Sequence, residues 1–277
     1  MRLVAAEAAR ARRAELSCRP VMVAKEGCTR QRRFRGGALT ALGCTAVSQS
    51  YPQRAFAVPA DATELIVVRH GASAALEQGQ SFPLVGGHGD PPLAPEGVAQ
   101  AEAVAARLRG EPLDAMYVTP LQRTAQTAAP LAQAVGLEPV VIEDLREVHL
   151  GEWEGGEYRI RIADRDPIAI RALMEERWDL IPGGEPMDRL AARVTAGLDA
   201  MLGAIGPGGT GAAVLHGGVI GEVCRQVTGS RPFAFINSDN ASITRIVQFA
   251  NGYRLLRSFN DTAHLAAQAT RRATAAG

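Results

Sequence analysis

The chain has 277 residues, 47% hydrophobic and 21% charged, with a mean hydropathy of −0.02. Such values describe a globular chain long enough to bury a core, as one large domain or two small ones, and exclude disordered, collagen-like and membrane-bundle classes. Every one of the 30 basic residues except Lys25 is arginine. A P-loop or Schiff-base lysine would therefore have to come from the N-terminal region, which excludes Walker-A nucleotidases and pyridoxal enzymes.

The net charge of +1 hides an asymmetry. Residues 1–57 hold eleven basic residues against Glu7, Glu15 and Glu26, whereas residues 58–277 hold nineteen basic against twenty-six acidic. A basic leader before an acidic domain argues against nucleic-acid binding by that domain. Cys18, Cys28 and Cys44 lie in the leader, so Cys224 is alone beyond it and the domain must stand without an internal disulfide.

The leader reads as an export signal. Residues 31–35 form a charged stretch, 36–47 an apolar stretch, and Ala55-Phe56-Ala57 an A-x-A cleavage site that would leave Val58 as the mature N-terminus. The apolar stretch is too short for a permanent membrane span, and Arg32-Arg33 points to the twin-arginine route. The expectation is export to the periplasm or cell envelope. A lipoprotein box at Cys44 and a plain extension on a cytoplasmic protein are the alternatives.

From residue 64 the pattern becomes that of an α/β domain. Residues 65–68 are a buried-strand run ending at Arg69-His70-Gly71. Apolar residues at helical spacing behind Pro95 predict a helix over 95–108, followed by a strand over 115–118 and a helix from Pro120 to Val135 with Gly136 as its stop. Residues 139–142 form the next strand. Charge, aromatic and glycine mixed over 144–156 suggest a loop; 159–178 and 186–205 read as two helices. Residues 211–215 predict a strand ending at His216-Gly217-Gly218, then a helix to Val227. Residues 242–249 and 253–259 alternate across Asn251-Gly252, a hairpin signal. The expected fold is a three-layer α/β/α sandwich, its sheet mostly parallel with one antiparallel hairpin. A single domain over 58–265 and a loose tail over 266–277 complete the expected organisation.

His70 and His216 each follow an apolar run and precede glycine, so a parallel sheet could set both on one carboxyl edge. With Arg69 and Arg123 they form a set suited to a phosphate-like anion, because guanidinium forks match phosphate oxygens. Taken singly, each histidine reads equally as a structural loop residue, and Arg123 as ordinary helix decoration.

Five ordered blocks go further: Leu65-Ile-Val-Val-Arg69-His70-Gly71-Ala-Ser73; Asp90-Pro-Pro-Leu93 with Gly97 and Gln100; Thr119-Pro-Leu-Gln-Arg123-Thr-Ala-Gln-Thr127; Leu145-Arg-Glu147-Val-His-Leu-Gly151-Glu-Trp-Glu-Gly155; and Val214-Leu-His216-Gly-Gly. Together they resemble the histidine phosphatase superfamily, the phosphoglycerate-mutase-like family, over about residues 64–265. The resemblance implies a phosphohistidine mechanism with His70 as nucleophile, Glu147 as proton donor and His216 beside them, and with Arg69, Arg123, Gly71 and Ser73 around the phosphate. It implies no metal and no cofactor, and the five histidines show none of the usual metal-ligand spacings. An acid that must start protonated implies an acidic pH optimum.

The chain also departs from the family pattern. Leu76 occupies the place of the usual Asn and Ser73 that of Thr; His88 or Gln80, in the Gly-rich 77–88 stretch, could reach the site instead. Arg146, Trp153, Arg159 and Arg161 are candidate rim residues, although Arg159-Ile-Arg161 also reads as a solvated helix face. Gly-Glu-Trp-Glu-Gly after Glu147 and the short stretch to His216 favour a phosphatase over a mutase, which must shield its phosphohistidine from water. A phosphate-binding pseudoenzyme is the non-catalytic alternative. The expected partner is a small phosphomonoester, with no nucleic acid and no stable membrane span; oligomeric state is not legible.

Overall fold

Strand β1 (Thr63–Arg69) alternates the faces of its buried side chains. Leu65 and Val67 enter one apolar cluster, Ile66 and Val68 another. A strand buried on both sides needs cover on both, and the chain supplies helices to each face of one sheet. These observations come from a computed structural model that describes residues 50–266 and divides into units Met1–Arg54 and Ala55–Gly277. Of the first unit only residues 50–54 are described, exposed and irregular. The 31–35 and 36–47 stretches, Cys18, Cys28, Cys44 and most of the tail lie outside the described residues.

After β1 comes a small hairpin, β2 (Leu84–Val85) and β3 (His88–Gly89). Then follow α1 (Pro95–Leu108), β4 (Ala115–Val118), α2 (Gln122–Val135) and β5 (Val140–Val141). The second half has α3 (Glu157–Ala163), α4 (Pro167–Glu175), α5 (Met187–Ile205), β6 (Thr210–Leu215), α6 (Gly217–Thr228), β7 (Ile243–Gln248) and β8 (Arg254–Asp261).

The sheet order is β5-β4-β6-β1-β7-β8. The first four strands are mutually parallel, and β7 and β8 close the edge antiparallel. This is the expected sandwich. One cluster joins the sheet to α5, α6 and the 145–181 segment, and the other joins it to α1 and α2. Cys224, the free cysteine among the described residues, is buried in the first cluster, and burial pushes its thiol up to about 12. No helix among the described residues is long and apolar enough to cross a membrane.

Three local readings need correction. The helix expected over 159–178 is broken into α3 and α4, because Arg165 turns left-handed (φ 54°) and Asp166 caps a new helix, accepting from the Ile168 amide at 2.7 Å ahead of Pro167. Helix α2 begins at Gln122, with Pro120 before its cap. The 77–88 stretch runs into the β2–β3 hairpin, turned at Gly86 (φ 57°) and Gly87 (φ 85°), where two successive positive φ values favour glycine.

Candidate active site

Strand register brings the two histidines together. Arg69 pairs with Leu215 across the parallel β1 and β6 strands, so His70 and His216 leave the sheet side by side, with the His70 amide donating to the Leu215 carbonyl at 3.0 Å. Their rings meet edge to face with centroids 5.3 Å apart. Strand β4 runs beside β6, and beyond its end Thr119 Oγ1 lies 2.8 Å from His216 Nε2. Three carboxyl strand ends thus share one crevice, the usual place for a site in an open α/β sheet.

His70 is 6% exposed and His216 fully buried. His70 Nδ1 sits 2.8 Å from the Gly71 carbonyl. A carbonyl only accepts, so Nδ1 carries the proton and Nε2 keeps its lone pair. Burial, then the Arg123 and Arg69 charges, push the His70 pKa well below the ordinary histidine range; burial and Arg123 do the same for His216. Both imidazoles are neutral at physiological pH, as a nucleophile must be.

The cavity over His70 measures about 440 Å³ and is lined by Arg69, Ser73, Arg123 and Glu147 as well. Arg123, in the first turn of α2, donates to the Gly89 carbonyl at 2.9 Å and lies 3.7 Å from Asp90. Asp90 also accepts from the Gln122 amide at 2.9 Å, tying the β2–β3 hairpin to that helix start. Arg69 donates to the Ser238 carbonyl. Arg69 Nε and His216 Nδ1 are buried without a hydrogen-bond partner among the described residues, and both suit an anionic oxygen.

Glu147 Oε1 accepts from the Val148 amide at 3.0 Å and the Val219 amide at 3.3 Å, and Oε2 from the Gly218 amide at 3.4 Å. The carboxyl therefore rests on the first turn of α6, directly after His216. Arg193 holds the segment behind it, donating to the Asp144, Arg146 and Glu147 carbonyls while bound to Glu185 at 2.7 and 2.8 Å. Although burial raises it, the Glu185 pKa ends below its ordinary value through Arg193.

Gly71 has a packing role. Its amide donates to Thr127 Oγ1 at 2.9 Å, and an added Cβ would lie 2.6 Å from the Gly97 carbonyl oxygen. Ser73 Oγ accepts from Arg159 at 2.9 Å, and Arg159 also donates to the Ala74 carbonyl at 2.7 Å and stacks over Phe82 at 4.8 Å. Arg159 thus lines the cavity while staying exposed, and Arg161 pairs with Glu157 and Asp166. His88 reaches the cavity, whereas Gln80 and Leu76 line a neighbouring one and Arg146 another. Trp153 lines the cavity as expected.

Glu154, Tyr158 and Asn240 also line it and were not anticipated. Glu154 accepts from the Gly89 and Leu150 amides at 2.7 and 2.8 Å, and Asn240 Nδ2 donates to the His70 carbonyl at 3.0 Å. Only the Gly-Glu-Trp-Glu-Gly block and the Ser-Asp-Asn turn before β7 hinted at them. Among the described residues no cluster of His, Cys, Asp and Glu could hold a metal ion.

Comparison with known proteins shows the family and the fold. The sequence profile of the histidine phosphatase superfamily, branch 1, matches residues 65–262. A bifunctional protein of Mycobacterium tuberculosis is 33% identical over 207 residues, covering 73% of this chain and 55% of that protein; the chain thus spans about half the length of the mycobacterial relatives it matches. Phosphoglycerate mutase-like protein 4 of Arabidopsis thaliana is 33% identical over 210 residues, covering 74% of this chain and 88% of that protein. Among solved structures, a mycobacterial glucosyl-3-phosphoglycerate phosphatase has a TM-score of 0.59 at 25% identity over 73% of this chain and 100% of its own. A phosphoserine phosphatase mutant from Entamoeba histolytica has a TM-score of 0.60 at 26% identity, covering 73% and 99%. With its fold, its paired histidines and this profile in agreement, the chain belongs to branch 1 of the histidine phosphatase superfamily.

Proposed function

We propose that the chain is a metal-independent phosphomonoester hydrolase working through a phosphohistidine. The observation that carries this reading is His70 itself: a neutral imidazole with Nδ1 tied to the Gly71 carbonyl, in a cavity shared with Arg69, Arg123 and Glu147. His70 Nε2 attacks phosphorus and the bond to the ester oxygen breaks, with Glu147 giving that oxygen its proton. Water then attacks phosphorus, the N–P bond breaks, and Glu147 takes a proton from the water. Arg69, Arg123 and His216 stabilise charge on the phosphoryl oxygens, which is most of what this chemistry requires.

Mutase activity is the second reading, favoured by the phosphoglycerate mutase-like relative. Phosphatases among the solved neighbours support hydrolysis. The test is hydrolysis of an aryl phosphate from pH 4 to 9 in EDTA, with His70→Ala alongside. Turnover that survives EDTA and vanishes in the variant supports the proposal; phosphate exchange between phosphoglycerates without net hydrolysis overturns it.

Export is likewise our proposal, with cleavage after Ala57. Residues 55–57 are exposed and irregular, although the Phe56 ring rests against Arg257 and Phe249. N-terminal sequencing of the cell-envelope protein tests it: Val58 at the N-terminus is expected, and an intact leader on protein confined to the cytoplasm overturns it.

A further inference from the structure

The cavity has two chemically distinct parts. Arg69, Arg123 and Arg159 line it together with His70. Hydrogen bonds to Ser73 and to the Ala74 carbonyl hold Arg159 in place. Among the described residues these three are the only arginines or lysines in the lining.

Much of the remaining lining is apolar: Phe82, Val148, Leu150, Trp153, Tyr158 and Trp178. Three of its rings stand in series, Trp153 to Tyr158 at 6.3 Å and Tyr158 to Trp178 at 6.1 Å. Phe233 backs Trp178 at 4.8 Å, so this wall is packed from behind. Burial, together with the Glu147 charge, pushes the Tyr158 pKa up, so its hydroxyl stays neutral.

The lining carboxylates are Glu147 and Glu154. Two backbone amides fix Glu154, so it cannot swing away from an arriving ligand. A phosphate dianion engages the arginines. A second carboxylate or phosphate on the leaving group would then give up its water for aromatic rings and the fixed Glu154 carboxylate. An uncharged ring gains from the same surroundings, and the cavity volume falls in the range that encloses a small organic ligand.

We infer that the substrates are phosphomonoesters of uncharged alcohols bearing an aromatic or comparably large apolar group, and that phosphorylated acids of the phosphoglycerate type are poor substrates. This rests on the phosphatase reading above and narrows it.

The test compares kcat/KM of the full chain for 2-phenylethyl phosphate, ethyl phosphate and 3-phosphoglycerate. All three are alkyl esters, so leaving-group reactivity does not decide the order. The ring ester should exceed ethyl phosphate by about 30-fold, as expected for burying a ring, and 3-phosphoglycerate should fall below ethyl phosphate. Phe82→Ala and Leu150→Ala should each cut the ring-to-ethyl ratio by about 3- to 10-fold. Phe82 is only partly buried at the cavity, so its loss spares the core. Preference for 3-phosphoglycerate, or a ratio unchanged in both variants, overturns the assignment while leaving the phosphatase reading intact. Hydrolysis of none of the esters removes both.

Discussion

The rings of His70 and His216 stand edge to face, 5.3 Å apart, and both imidazoles are held neutral inside the protein. Two cationic imidazoles at that spacing, between buried arginines, would repel one another and their neighbours. The pair thus links the chemistry of the site to the pH dependence of folding.

A histidine whose pKa falls on folding is protonated first in the unfolded chain. Below about pH 6.5 the unfolded state therefore binds more protons, and stability drops as pH falls. Each of the two groups should contribute up to about 1.4 kcal/mol per pH unit in that range. Urea midpoints from pH 8 to 5 check this: wild type should lose stability below pH 6.5, and His70→Asn should lose it less steeply. Equal slopes would mean that His70 is not held neutral.

Glu147→Gln should reduce kcat/KM, which reports transfer to His70, by about 10²- to 10⁴-fold for an alkyl phosphate and much less for 4-nitrophenyl phosphate, whose leaving group needs no proton; kcat should fall for both through loss of the base for water. Wild-type activity should peak on the acidic side of neutrality. A profile that only rises through pH 8, or an equal loss of kcat/KM for both esters, would remove the proton-donor role.

Arg193 joins Glu185 to the carbonyls of Asp144, Arg146 and Glu147. Arg193→Ala leaves a buried carboxylate unpaired and should cost about 3 kcal/mol. Because the Glu147 segment loses its anchor, kcat should fall more than KM rises. Thermal melts and steady-state kinetics together check this, and a KM-only effect would place Arg193 elsewhere in function.

Gly71→Ala would put a methyl carbon 2.6 Å from the Gly97 carbonyl oxygen, a backbone atom that cannot swing aside as a side chain would. A loss of about 1–3 kcal/mol is expected, as for overpacking, read from denaturation midpoints. Unchanged stability would show that the Gly71 loop separates easily from α1.

Much of this molecule was determined by sequence alone. A buried strand running into Arg69-His70-Gly71 and a second one into His216 needed only local hydrophobic pattern and glycine, so the sandwich and its hairpin edge were readable in the sequence, with Arg69, His70, Arg123 and His216 as candidates; Glu147 entered through the family resemblance. Local signals also marked the α3–α4 break at Asp166-Pro167 and the Gly86-Gly87 turn, but helical periodicity and loop composition masked them. Tertiary structure decided what depends on contacts between distant segments. Register across β1 and β6 set the histidine pair, hairpin packing on α2 brought His88 to the cavity, and α3 carried Arg159 onto Ser73 while Leu76 faced away. Glu154 and Asn240 became part of the site only by bonding backbone groups 65 and 170 residues away. Local sequence cannot specify such partners, because their positions follow from how strands and helices pack, which no window of the chain contains.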